Sequence, residues 1–529
     1  MRSIFLKLYA IRAVPPLFWI ISVIYFSAGY YVFSIISPIY MGAGGYDSDP
    51  AYVYLLNGVS LLYGNVPGHV DHPGTPLQVF GAIVIFLRWG LCRIAGISSD
   101  GLLSDVLTDP EGHIATASVL LLVMNTFALI FLGIVAHKVV GKRWAGITIL
   151  IMPFLFPILI PRSVYLSPEA LLIFSSICLL AILFPSIFQK KEIEIGNFSV
   201  PILSGIFFGF GLAVKFTFLP MAVLLFLQRG TRRVLTSILF SCGSFIVFIS
   251  PVLPKFEYII NWTKAIAQHT GHYGQGATGL ADWTAIPERA IKLFIEFPLA
   301  FFVAGLLLIS PIIFKRLDLN VRRAVPWVFS AVVLLQLALV LKHYGTHYMI
   351  PALPVALVGA VWLIWAVEFE LAKSTIWRYI PVVLVYVGLV IGAYSTLNMM
   401  TALANSRAQQ NGEYQKISSA LDMYPGALII CSYRCGLPQS AISFGVGYTD
   451  GKLEQYARPF LDNFTEVRYA IYQPNPDYSA DKINELIRNG RSVLLLSSND
   501  AEWLKHFTSE PILALSGRTL YKVNKISPP

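Results

Sequence analysis

The amino-acid sequence predicts an α-helical polytopic membrane protein that ends in a soluble α/β domain. Three observations predict it. The 529 residues are 56% hydrophobic and 13% charged, with a mean hydropathy of +0.66, whereas about a quarter of the residues of a soluble domain are charged. About eleven apolar runs, most near membrane-span length, follow one another between Leu17 and Leu397. From Thr401 onward the apolar runs shorten and alternate with polar, helix-like segments.

The first run, Leu17–Ile36, has the length of one span and no small-residue cleavage site after it, so it reads as a retained signal anchor. A first outer loop, 38–112, follows. It carries Asp47-Ser48-Asp49-Pro50, then an amphipathic surface helix with Tyr52, Leu55, Leu56, Val59, Leu62 and Tyr63 on one face. The turn Asp71-His72-Pro73-Gly74-Thr75-Pro76 and the apolar run Pro76–Ile97 complete it. The remaining spans are Ile114–Ala136, Trp144–Ile160, Ala170–Phe188, Pro201–Val214, Phe216–Leu227, Val234–Ser250, Phe297–Phe314, Ala324–Leu341, Tyr348–Val367 and Ile380–Leu397.

Basic residues orient these spans. With a cytoplasmic N-terminus and Pro76–Ile97 on the membrane surface, Lys138, Lys142, Arg143, Lys190, Lys191, Arg229, Arg232, Arg233, Lys315, Arg316, Arg322, Arg323, Lys373 and Arg378 all fall inside. Only Arg162, Lys215 and Lys342 remain on short outer connections. A spanning Pro76–Ile97 turns every one of those loops outward, against the positive-inside rule. The same rule explains most of the net charge of +10, so nucleic acid is not an expected partner. Pro201–Leu227 is basic at both ends and therefore goes out and returns within about 27 residues, as two short helices that do not fill a core of roughly 30 Å. Lys215 sits at their apex, in a cavity below the outer surface. The plainer alternative is one long span with a buried, paired lysine, which costs about 2.5–3.5 kcal/mol to insert.

This topology divides the chain into a membrane domain, 1–400, with a flexible outer loop at 251–296, and an extracytoplasmic α/β domain, 401–529. It also gathers scattered polar residues on one face. Asp47 and Asp49 form a D-x-D pair at a helix start. Helix capping explains Asp49 before Pro50 but not Asp47. Such a pair suits a general base, or a divalent cation (Mg or Mn) held through hard oxygen ligands. His72 lies in a rigid turn, and Glu169 follows Ser167-Pro168 as a first-turn acid. Lys342-His343-Tyr344-Gly345-Thr346-His347 reads either as an interfacial anchor or as a cationic pocket for a phosphate near the headgroups. His269, His272 and Tyr273 open a glycine-rich stretch that reads as a lid. Cys92, Cys178 and Cys242 lie in apolar runs as packing residues. Cys431 and Cys435 suit a disulfide in an extracytoplasmic domain, although spacing alone does not pair them.

The assembled pattern resembles the GT-C superfamily of integral membrane glycosyltransferases, in the branch containing protein O-mannosyltransferases and the aminoarabinose transferase of lipid A. The fragments are Asp47-Ser48-Asp49-Pro50, then His72-Pro73-Gly74-Thr75-Pro76-Leu77, similar to that branch's HPP-L or KPPL segment, and Tyr165-Leu166-Ser167-Pro168-Glu169. Gly209-Phe210-Gly211-Leu212-Ala213-Val214-Lys215 and His347-Tyr348-Met349-Ile350-Pro351 complete the series, in the family's order and on one face. The resemblance implies an inverting transfer of a hexosyl or pentosyl group from a polyprenyl-phosphate donor to a lipid, glycan or protein hydroxyl outside the cytoplasm. It implies that Asp49, or else Asp47, is the base, and that Lys215, Lys342, His347 and Arg162 contact the donor phosphate. His72 and Glu169 join the catalytic group, and His269, His272 and Tyr273 face the acceptor. A multi-pass place in a bacterial inner membrane and a role in lipopolysaccharide or other envelope-glycan modification go with it. The chain departs from the pattern at Ser167, where Asp is common, and at His347, where Arg is usual. Its D-x-D replaces Asp-Glu; some superfamily members use a divalent metal and this branch often does not. A transporter or flippase is the competing class, but the sequence has few mid-span polar groups to form a path and its two halves show no visible similarity.

Overall fold

The computed structural model describes residues 14–71, 73–98, 100–188, 199–228, 230–271, 274, 276–313, 324–371, 380–431, 435–461, 463–466, 479–498, 502–516 and 518–527. His72, His272 and Tyr273, and Val467–Tyr472, one of the short apolar runs of the tail, lie outside them. In chain order the helices are α1 (Pro16–Ile36), α2 (Ser48–Leu62), α3 (Thr75–Ile94), α4 (Leu102–Thr108), α5 (Pro110–Val140), α6 (Arg143–Leu150), α7 (Met152–Leu155), α8 (Leu159–Val164), α9 (Pro168–Phe188) and α10 (Ser199–Val214). A 3-10 helix, Phe216–Leu227, precedes α11 (Thr231–Ile249), α12 (Phe256–Gln268), α13 (Ile286–Glu296), α14 (Pro298–Ile313), α15 (Ala324–Lys342), α16 (Ala352–Leu371) and α17 (Ile380–Asp422).

The protein is an integral, multi-pass membrane protein. Among the described residues seven helices are long and apolar enough to cross a membrane, or eight if the bent pair α13–α14 counts as one span; Ser199–Val214, Phe216–Leu227 and Ala352–Ala366 are shorter apolar helices. The α3 helix is among the seven by length and composition, which do not enter the charge argument that lays it on the surface. One expected span differs. Trp144–Ile160 is divided among α6, α7 and α8, because Pro153 and Pro157 each remove a donor and clash with the preceding turn. The pair expected around Lys215 is present: α10 ends at Val214, Lys215 is extended, and the 3-10 helix starts at Phe216.

The chain forms two compact units. The first comprises Met1–Tyr31, Val70–Leu77 and Ser118–Met399; the second comprises Val32–His69, Gln78–Ala117 and Met400–Pro529. The first outer loop, apart from Val70–Leu77, therefore folds with the tail. In the second unit the tail continues through β1 (Leu428–Cys431), α18 (Pro438–Gly447), α19 (Glu454–Ala457), β2 (Phe464–Glu466), α20 (Ala480–Arg488), β3 (Val493–Ser498), β4 (Phe507–Ala514) and β5 (Arg518–Ile526). The sheet order is β2-β1-β3-β5-β4; β1 runs parallel to β2 and β3, and β5 antiparallel to β3 and β4. Alternation along the strands sorts two cores. Leu428, Ile430, Val493 and Leu495 pack with Ile483 of α20 on one face, while Leu494, Leu496 and Cys431 pack with Ile417 of α17 on the other. Cys431 and Cys435 form a disulfide with a Cα separation of 6.1 Å.

The α2 helix differs from its expected surface position. It is buried on all sides from Ala51 to Ser60, because α18 covers a second face. Gly445 permits that approach: a Cβ there lies 2.9 Å from the Tyr52 carbonyl oxygen and from Leu56 Cδ1. Asn57 lies inside this contact and is fully used. Its amide nitrogen donates to the carbonyls of Val53 (2.8 Å) and Tyr448 (3.1 Å), and its oxygen accepts from the Gly68 (2.7 Å) and His69 (3.2 Å) N–H groups.

Candidate active site

Three breaks between helices build a charged cluster in the first unit. Between α8 and α9, the Tyr165–Ser167 turn leads into Pro168, whose missing N–H suits a helix start, and sets Glu169 in the first turn. Buried Asn125 holds this break from α5, donating to the carbonyls of Ser163 (3.2 Å) and Ala170 (3.1 Å). The second break is at Lys215 and the third is the 3-10 turn Thr346–Met349, which carries His347. Buried Gln336 of α15 ties these two together, donating to the carbonyls of Thr217 (3.1 Å) and Tyr348 (2.6 Å). The freed backbone groups of broken helices are thus satisfied by side-chain amides.

At the centre, the Lys215 ammonium donates to Glu169 Oε1 at 2.8 Å, with both side chains buried. His347 Nε2 lies 3.9 Å from the same oxygen, and Lys215 Nζ stands 4.6 Å from the centre of the Tyr348 ring. Arg162 adds a second positive charge, felt by both Glu169 and His347. Burial pushes His347 down to about 3; the Glu169 carboxylate opposes this, and Lys215 and Arg162 reinforce it. His347 is therefore a neutral imidazole at pH 7, and the cluster sets two permanent cations against one carboxylate. Lys215 lies at the break between two short helices, so no single long span forms there, although the lysine is buried and paired as that alternative supposed.

Two other expected residues converge elsewhere in this unit, at the end of α12. The His269 ring donates to the Ala265 carbonyl (2.9 Å), the His343 ring to that of Ile266 (3.3 Å), and the Lys342 ammonium to that of Ala267 (2.5 Å). These are the carbonyls a helix C-terminus leaves open, and cationic donors there also oppose the negative end of the dipole. The glycine-rich stretch closes on itself through Thr270 N–H to the Ala277 carbonyl (3.0 Å) and Gly279 N–H to that of Gln268 (2.8 Å).

The acidic pair belongs to the second unit. Ala43 and Tyr46 exchange two backbone hydrogen bonds of 3.0 Å across Gly44 and Gly45. Both glycines have positive φ, +57° and +83°, as a two-residue reversal of this kind requires. The turn delivers Asp47, whose carboxylate accepts from the Asp49 N–H at 2.9 Å and caps α2. Asp49 is extended at φ −99° and ψ 122°, as a residue before proline prefers. The capping carboxylate is thus that of Asp47, not Asp49 as the sequence suggests. No group of three or more His, Cys, Asp or Glu side chains arranged for a metal occurs among the described residues. Asp47 and Asp49 are the two carboxylates that would hold a divalent cation, and a cation held by so few protein ligands would need substrate phosphate oxygens to complete its shell.

Apolar spans, short helices broken at charged residues and a C-terminal α/β domain define the class, a multi-pass membrane protein. No family model and no curated protein matches the sequence. Among solved structures the chain is similar to ArnT from Cupriavidus metallidurans bound to undecaprenyl phosphate, with 12% identity, 96% of this chain and 98% of that chain covered, and a TM-score of 0.52. It is similar to the apo state of the same protein at 12% identity, 95% and 97% coverage and a TM-score of 0.50. At this identity the likeness is one of fold.

Proposed function

We propose that this protein is an inverting glycosyltransferase that moves a sugar from a polyprenyl-phosphate donor to an acceptor hydroxyl at the outer face of the membrane. The observation that carries the reading is the cluster of buried Lys215 and Glu169 with half-buried Arg162 and His347 at three helix breaks, in a chain similar in fold to a structure bound to undecaprenyl phosphate. Lys215 and Arg162 neutralise the donor phosphate, and neutral His347 donates a hydrogen bond to it. Glu169, given a catalytic role by sequence, acts here as the counter-ion that fixes Lys215. Lys342 is the weaker phosphate contact, because its ammonium is engaged at the end of α12.

Asp49 takes the proton from the acceptor hydroxyl. The acceptor oxygen forms a bond to the anomeric carbon as the bond from that carbon to the phosphate oxygen breaks, with inversion, and polyprenyl phosphate leaves with the bonding electrons. Asp47 holds the Asp49 N–H and is the second choice as base. His72 on the first outer loop, and His269, His272 and Tyr273 on the later one, are assigned to the acceptor side. The outward direction is supported by the distribution of basic residues and by the Cys431–Cys435 pair, since disulfides persist in oxidising compartments.

The test is transfer of labelled sugar from polyprenyl-phosphate donors to membrane acceptors by purified protein. Asp49→Asn is expected to lower the rate by roughly 10²–10⁴-fold, the usual size of a general-base contribution; an equal rate overturns the assignment of Asp49. Lys215→Met strands a buried carboxylate and costs about 3–5 kcal/mol of stability. Lys215→Met with Glu169→Leu is expected to recover that stability but not transfer, and recovery of both removes the cluster from the reaction. Absence of lipid-phosphate release with every donor tried, together with movement of lipid across the bilayer, decides for a flippase instead.

A further inference from the structure

In the second unit, the first turn of α5 carries a carboxylate that the sequence did not single out. Glu111 is half-buried and accepts three hydrogen bonds. Its Oε2 takes the Ile39 N–H at 2.9 Å, and its Oε1 takes the Tyr40 N–H at 3.0 Å and the Tyr52 hydroxyl at 2.9 Å. These partners bracket the acidic segment, with Ile39 and Tyr40 before it and Tyr52 three residues after Asp49. A second support comes from α17. The Arg407 guanidinium donates to the Pro38 carbonyl at 3.2 Å and attracts the Glu111 carboxylate. The Gly44 N–H donates to the Ser406 hydroxyl at 2.9 Å, and a Cβ on Gly44 would meet Leu403 Cδ2 at 2.5 Å.

We propose that Glu111 is a positioning residue for the reaction, clamping both ends of the segment that carries Asp47 and Asp49. Burying a carboxylate is costly unless its acceptor capacity is filled. Here the Glu111 carboxylate serves Ile39, Tyr40 and Tyr52, which all flank that one segment. A residue with only a packing role has no need of charge, whereas two oxygens serving three donors on both flanks fix the position of the loop between them. Reaction rates are sensitive to such placement, because a shift of about 1 Å costs on the order of 10²-fold.

The inference rests on the reading of Asp49 as base, and the experiment separates the two. Glu111→Gln keeps the shape but replaces one acceptor oxygen with a donor. It is expected to speed amide hydrogen exchange across residues 41–52, to lower kcat by roughly 10–100-fold and to leave the donor KM within about two-fold. Glu111→Asp is expected to recover part of the loss. Unchanged exchange, or faster exchange with unchanged kcat, overturns the proposal. If Glu111→Gln does not fold, Ser406→Ala removes only the bond to the Gly44 amide and is expected to move exchange and kcat in the same directions by a smaller factor; no change in either overturns the proposal. Asp49→Asn is measured beside these: full transfer by it overturns the base, and exchange across 41–52 then decides alone whether Glu111 holds the loop.

Discussion

His347 is the residue where position and chemistry are most tightly linked. Burial and two neighbouring cations hold it near 3, below its ordinary 6.5, against the pull of Glu169. The folded state therefore binds fewer protons than the unfolded chain between those two values. The stability this contributes is complete above about pH 6.5 and is lost as pH falls toward about 3. Thermal unfolding of the purified protein is expected to weaken between about pH 7 and pH 5, and His347→Gln, which cannot take up the proton, is expected to show a shallower decline. Equal slopes would mean that other groups carry the pH dependence. In sequence, the family resemblance makes His347 an expected phosphate contact. Its charge state was not legible there, because it depends on Lys215, Arg162 and Glu169 meeting around it.

At the scale of elements, the breaks matter more than the spans. Sequence alone marked the short pair around Lys215, since basic residues at both ends of a short apolar run leave few other solutions. It did not mark Asn125 or Gln336, whose amides hold the broken ends from helices far along the chain. A polar residue inside an apolar run carries no local sign of the carbonyls it will meet. Asn125→Ala leaves the Ser163 and Ala170 carbonyls without this donor and is expected to cost about 1–3 kcal/mol. It is also expected to weaken binding of polyprenyl phosphate, measured by titration against thermal unfolding in the same detergent; unchanged affinity would separate the staple from the phosphate site. The helix α2 shows the same limit. Its amphipathic pattern reads as a surface helix, whereas contact with α18 leaves both faces buried. In the tail, strand β4 escaped the pattern because Pro511 interrupts it, which an edge strand tolerates.

For the whole molecule, the orientation of the tail is open to direct test. Lys482 lies on the exposed side of α20. Lys482→Cys in intact cells is expected to react with a thiol reagent that does not cross the membrane. Labelling only after permeabilisation would reverse the topology and, with it, the outward chemistry.

Hydropathy and the distribution of Lys and Arg were enough to determine the membrane class, the break at Lys215 and the α/β tail. Those properties belong to contiguous residues, because lipid selects for apolar length and loops for charge. Contacts determined the rest. Glu169 meets Lys215 across 46 residues, Lys342 reaches the end of α12 across 75, and Glu111 reaches the acidic loop across 72. At such separations a side chain's partner is chosen by packing, so the same Lys reads alike in sequence whether it binds phosphate, neutralises a carboxylate or caps a helix.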